Sequence, residues 1–239
     1  MDATSLNAAQ SARLEKARAA LASVQTRVGT RRSTTGAECW EAPALPLASS
    51  LSDALPGGLR RGQVVAVEGS TSLVLALVAE ASKEGSWAAM IGMPQVGVVA
   101  AARRGIELAR LALIPHPGAQ APAVAGACVD GMDVVVLGPR LALADSDRRR
   151  LLARARERGS VLISAGPWDG AHVTLSVEGS RWSGLGAGDG RLRERQLTVA
   201  VGSRASGQSR RVLLTLDSEP GLRRESRASV GQSTFEGAA

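Results

Sequence analysis

Gly62-Gln-Val-Val-Ala-Val-Glu-Gly-Ser-Thr-Ser72, running on into Leu73-Val-Leu-Ala-Leu-Val-Ala-Glu-Ala-Ser82, is the stretch whose reading decides the fold. A β-branched apolar run (Val64, Val65, Val67), a small polar turn (Gly69 to Ser72) and an apolar series of good helix formers read as buried strand, tight turn and buried helix. That is how a phosphate-binding βα unit opens. Such a unit needs a glycine-rich loop whose amides cradle phosphates, a lysine for the outer phosphates and a Ser or Thr hydroxyl for magnesium. Counting from Gly69, the second glycine falls on Val74, the lysine on Leu75 and the hydroxyl residue on Ala76. The only lysines are Lys16 and Lys83, and neither stands at a strand-to-helix turn. Gly69, Ser70, Thr71 and Ser72 therefore read as a degenerate nucleotide loop, with the serines and threonine as an N-cap of the next helix rather than as nucleophiles. No cofactor is expected.

Downstream, the same alternation continues. Trp87 to Ile91, Leu111 to Ile114, Asp133 to Leu137 and Val161 to Ser164 read as strands, and Gln95 to Arg104, Ala119 to Val129 and Leu143 to Arg158 as the helices between them. Strands alternating with helices at this spacing predict an α/β fold with a mainly parallel sheet covered by helices on both faces. Beyond Gly166, Val173 to Val177, Arg191 to Val201 and Arg210 to Leu216 read as strands without helices between them, expected as antiparallel edge strands at the C-terminal end of the sheet.

Upstream, Leu6 to Val28 places Leu14, Ala17, Leu21, Val24 and Val28 at alternating spacings of three and four, a narrow apolar seam on a helix. It is too short to persist as a free coiled coil, so it docks on its own domain or on a partner. Leu14, Leu21, Val24 and Val28 are the candidate partner-binding residues. The organisation expected is an N-terminal helix and linker over 1–49, one domain over 50–216, and a tail over 217–239 whose composition cannot bury a core.

The net charge of +7, carried almost wholly by arginine, favours an anionic partner such as nucleic acid, or else a solvated basic surface. Cys39 and Cys128 are isolated from each other and from His116 and His172, so neither a disulfide framework nor a metal site is expected. No apolar run approaches the roughly 18 residues a membrane span needs. The N-terminus lacks a signal-peptide pattern, and a cytoplasmic protein without a membrane partner is the expectation.

In an open parallel sheet, function gathers at the carboxyl ends of the strands. The second strand ends in Gly92-Met93-Pro94-Gln95, without the carboxylate an ATPase uses to position water. The fourth ends in Gly138-Pro139, without a magnesium-holding Asp, since Asp133 stands at the opposite end. No catalytic residue is assigned, and no enzyme is expected. What remains is binding. Trp168 lies on a glycine-flanked loop after the fifth strand, and Arg181 and Trp182 precede a glycine-rich turn followed by Arg191, Arg193 and Arg195. Tryptophan beside arginines suits stacking on bases and contact with phosphates. It equally suits a hairpin whose tryptophan folds back on the core. These six residues are the DNA-binding candidates. The arginines of the Leu143 to Arg158 helix (Arg148, Arg149, Arg150, Arg154, Arg156, Arg158) are read as a solvated outer face.

The run Leu55-Pro-Gly-Gly-Leu-Arg-Arg-Gly-Gln-Val-Val-Ala-Val-Glu-Gly-Ser70 resembles the core of the RecA recombinase superfamily. More narrowly, Met90-Ile-Gly-Met-Pro-Gln-Val-Gly97, Asp130-Gly-Met-Asp-Val-Val-Val-Leu-Gly138 and Gly166-Pro-Trp-Asp-Gly170 resemble the ImuA-prime family of bacterial mutasome cassettes. The resemblance spans about residues 50 to 216 and implies a RecA-like fold lacking the ATPase motifs. It also implies an accessory role in DNA-damage-induced (SOS), mutagenic translesion synthesis. The implied partners are ImuB, a Y-family polymerase homologue, and through it a DnaE-type error-prone polymerase, with single-stranded DNA as a further candidate. The alternative from another class is a SulA-like inhibitor of cell division, which the basic charge and the N-terminal seam disfavour. A residual ATPase with an unorthodox site is the third.

Overall fold

The computed structural model describes residues 43–185, 190–204, 207 and 209–217. The seam with Leu14, Leu21, Val24 and Val28, and the tail beyond Asp217, lie outside the described residues. The strands are β1 (Val64–Glu68), β2 (Ala88–Ile91), β3 (Leu111–Ile114), β4 (Val134–Leu137), β5 (Val161–Ser164), β6 (Val173–Leu185), β7 (Gly190–Ser203) and β8 (Ser209–Asp217). The α-helices are α1 (Thr71–Lys83), α2 (Val98–Arg103), α3 (Ala121–Gly131) and α4 (Asp145–Arg158). All eight strands join one sheet in the order β3-β2-β4-β5-β1-β6-β7-β8.

β1, β2, β4 and β5 sit in the middle because their sequences are continuous apolar runs, buried on both faces as parallel strands require. On one face α1, α2 and the Leu45 to Leu59 segment pack over Val65, Val67, Met90, Val134 and Ile163. On the other, α3 and α4 pack over Val64, Ala66, Ile91, Val135 and Leu162. The packed domain begins before residue 50, since Leu45 is buried and its amide donates to the Leu59 carbonyl at 2.8 Å.

The mainly parallel α/β fold, RecA-like in its layering, agrees with the sequence expectation; the C-terminal strands differ in one respect. β6 is a parallel neighbour of β1, with Val65 opposite Val173 and Glu68 opposite Ser176, and only the β6–β7 and β7–β8 pairs are antiparallel. No crossover helix is needed. β6 starts at the level where β5 ends, because Ala66 pairs with both Ser164 and Thr174, so residues 165–172 need only step across β1. From there β6 and β7 run on together well past the carboxyl end of β1.

The opposite, amino edge of the sheet is tied by polar side chains. Asp133 accepts from the Arg61 guanidinium at 3.1 Å and from the Trp87 amide at 3.0 Å, joining the entries of β1, β2 and β4. His172 Nδ1 accepts from the Val64 amide at 3.0 Å, and its Nε2 lies 3.2 Å from an Arg156 nitrogen. Burial, then the charges of Arg156 and Arg204, hold the His172 pKa below its ordinary value. A neutral ring suits the bond, since protonated Nδ1 would set a second donor against the Val64 amide.

Two consequences are measurable. Asp133→Ala, which removes the acceptor of the Trp87 amide and one of the two acceptors of the Arg61 guanidinium, lowers unfolding free energy by about 1–3 kcal/mol in urea titration; a loss within error of zero would remove this tie. Because the folded pKa of His172 is depressed, its stabilising contribution is complete above the unfolded value of about 6.5 and is lost as pH falls toward the folded value. Stability measured across that window declines in the wild type and declines less in His172→Asn, whose side-chain oxygen can still accept from Val64. Equal slopes would contradict the assignment.

Candidate functional site

The site to be tested is the carboxyl edge, where β1, β2, β4 and β5 end. At β1, the turn after Glu68 places Gly69 at φ +84, a backbone geometry that favours glycine. Ser70 caps α1, its side-chain oxygen accepting from the Leu73 amide at 3.2 Å. An amide that a phosphate loop would offer to its ligand is thus satisfied by the chain itself. The positions corresponding to the glycine, lysine and hydroxyl residue of a phosphate loop, Val74, Leu75 and Ala76, are buried in the core. An ammonium at position 75 would be a charge without water.

The neighbouring strand ends are closed by backbone. Gly138, at the tip of β4, has no room for a side chain: a Cβ there would overlap the carbonyl oxygen of Gly92, at the tip of β2. Its amide donates to the Ile91 carbonyl at 2.8 Å, which sets that close approach. A Cβ on Gly92 would in turn meet the Leu141 side chain at 2.6 Å, and one on Gly166, after β5, would meet Pro139 at 3.1 Å. The tips of β2 and β4 are therefore pressed together, with Leu141 laid against Gly92.

The aromatic candidates separate. Trp168 does not offer a stacking face: it is 8% exposed, packed among the residues under α3 and α4. Its ring is covered by the Arg148 guanidinium, 5.1 Å from the centroid. Trp182 is 42% exposed and stands on the β6–β7 extension. Arg195, opposite it on β7, lies 5.3 Å from its ring centroid and donates to Ser180 Oγ at 2.8 Å and to Ser72 Oγ at 3.1 Å. That last bond ties the β6–β7 extension to the first turn of α1. Sequence reasoning treated Ser72 only as part of the turn and missed it as a partner for Arg195. Arg181 is exposed; Arg191 and Arg193 are positions of β7 whose side chains lie outside the described residues.

The arginines of α4 are largely engaged within the domain. Arg154 and Arg158 both bind Asp130, and Arg154's hydrogen bond above all holds that carboxyl below the usual range. Arg156 meets His172 and Arg148 meets Trp168. Burial pushes the Cys128 thiol up, so it is a poor nucleophile. Among the described residues, no group of three or more His, Cys, Asp or Glu is placed to hold a metal. Nor is any described helix long and apolar enough to cross a membrane.

Fold and site together define a RecA-like α/β domain with closed strand tips and an extended β6–β7 arm. Residues 53–170 match the model of the family described as the MT3502 N-terminal domain. The chain is also similar to the uncharacterized protein Rv3395c of Mycobacterium tuberculosis, with 39% identity over 132 residues. That similarity covers 52% of this chain and 64% of the relative, so it spans less than two thirds of the relative's length. The family match contains the closed tips at Gly92, Gly138 and Gly166 and stops short of β6.

Gly138→Ala tests the closure. Because the obstruction is backbone, the added methyl must displace a strand tip, and a loss of about 1–3 kcal/mol in unfolding free energy is expected. An unchanged denaturation midpoint would show that the tips are not in contact.

Proposed function

We propose that this chain is a noncatalytic RecA-like accessory protein of DNA-damage-induced mutagenic translesion synthesis. In this reading it binds ImuB and acts in a complex with a DnaE-type error-prone polymerase, with single-stranded DNA as a further ligand. The observation that carries the reading is the backbone closure at Gly92 and Gly138. At the same edge neither Pro94 nor Gly138 supplies the carboxylate that a RecA-type ATPase uses, while the mainly parallel sheet is present. A domain kept in that condition serves as a scaffold whose surfaces, rather than a nucleotide cycle, make the contacts.

The three stretches that resemble the ImuA-prime family support the narrower assignment, because they meet in space. Gly92 from the first, Gly138 from the second and Gly166 from the third lie at adjacent strand tips and pack directly or through Pro139. Motifs distant in sequence thus share one structural job, which is to hold the tips together.

The reading is tested by copurifying the full chain with ImuB in the presence and absence of ATP and magnesium. A direct complex of equal yield in both conditions is expected. No complex in either condition, or one that forms only with ATP, would overturn it.

A further inference from the structure

We propose that Trp182 is a stacking platform for an unpaired base of single-stranded DNA, with Arg195 fixing the ring from beneath. Trp182 is the large aromatic left exposed on the β6–β7 arm, at 42%, whereas the other DNA candidate of its kind, Trp168, is in the core. Its indole is not a loose surface ring. The guanidinium 5.3 Å from its centroid is itself held by Ser180 Oγ and Ser72 Oγ, so one face of the ring rests on an anchored cation. An aromatic positioned in advance loses little freedom on binding, which is the economy stacking platforms use. Its neighbours on the same face of β6, Ser180 and Gly184, are small and leave room for a flat ligand.

Charge selects the ligand. β6 and β7 carry Arg181, Arg191, Arg193 and Arg195 against Glu178 and Glu194. Glu178 is paired with Arg211 at 2.7 Å, and Glu194 accepts from Ser183 at 3.3 Å. An exposed aromatic ring on an anchored guanidinium, in a strand pair with more arginines than carboxylates in its sequence, suits a polyanion with exposed bases. In a duplex the base faces are covered by stacking, so the unpaired strand is the form that fits. The inference rests on the DNA-contacting part of the proposed function and places that contact outside the segment shared with the MT3502 family.

The test uses the full chain, fluorescently labelled oligo(dT) and an abasic oligomer of equal length, with anisotropy read across a salt series. Trp182→Ala is expected to weaken oligo(dT) binding about tenfold or more while Trp182→Phe keeps most of it, stacking being the lost term. Binding of the abasic oligomer and the salt slope should stay as in the wild type. Thermal unfolding checks that each variant is folded. Equal oligo(dT) affinity for Trp182→Ala and wild type overturns the platform, as does absence of oligo(dT) binding by the wild type. Loss of the ImuB complex in Trp182→Ala with unchanged oligo(dT) binding also overturns it and makes the ring a protein contact. An intact wild-type ImuB complex alongside failed DNA binding would sink this inference alone.

Discussion

The constraint on which the carboxyl edge depends is the contact between the tips of β2 and β4, where the Gly138 amide bonds the Ile91 carbonyl and leaves no space for a Cβ against Gly92. Strand tips of an open sheet normally diverge enough to admit side chains, and ligands enter there. Here the chain turns directly from β4 into Pro139 and Arg140, and Leu141 comes to lie on Gly92. The neighbouring phosphate turn is treated in the same way, with a serine cap and a buried apolar first helix. At both places packing fills the space beside the strand tips. Each buried leucine-sized side chain contributes on the order of 1.5–3 kcal/mol relative to exposure.

The polar ties have migrated to the other edge. Asp133 and His172 hold the strand entries, where side chains bond backbone amides that the ladder leaves over. They explain two residues that look chemical in the sequence. An Asp at one end of a hydrophobic strand and a solitary histidine are here acceptors for main-chain donors. The α4 arginines belong to the same pattern, since Asp130 and the Trp168 ring account for three of them.

Much of this was legible. The central strands β1, β2, β4 and β5 are visible as short apolar runs, because burial on both faces leaves little else to a parallel strand. What the pattern did not contain is the pairing of β6 with β1, which depends on the level at which β6 begins, and the full length of the β6–β7 arm. Residues 178–196 are mostly polar or glycine and show no regular alternation of apolar and polar residues. Trp168 and Trp182 looked alike, each beside glycines; what separates them is α4, which covers one and not the other. The closure at Gly138 is likewise invisible in sequence, because a glycine chosen for close approach resembles one chosen for a turn.

In the proposed noncatalytic role this edge binds no nucleotide. Isothermal titration of the purified full chain with ATP and magnesium tests it most directly. The account predicts no saturable heat up to millimolar nucleotide, with the same flat trace for ADP. A saturable isotherm with a stoichiometry near one would contradict it, because a site would then have to open between strand tips that the structure holds in contact.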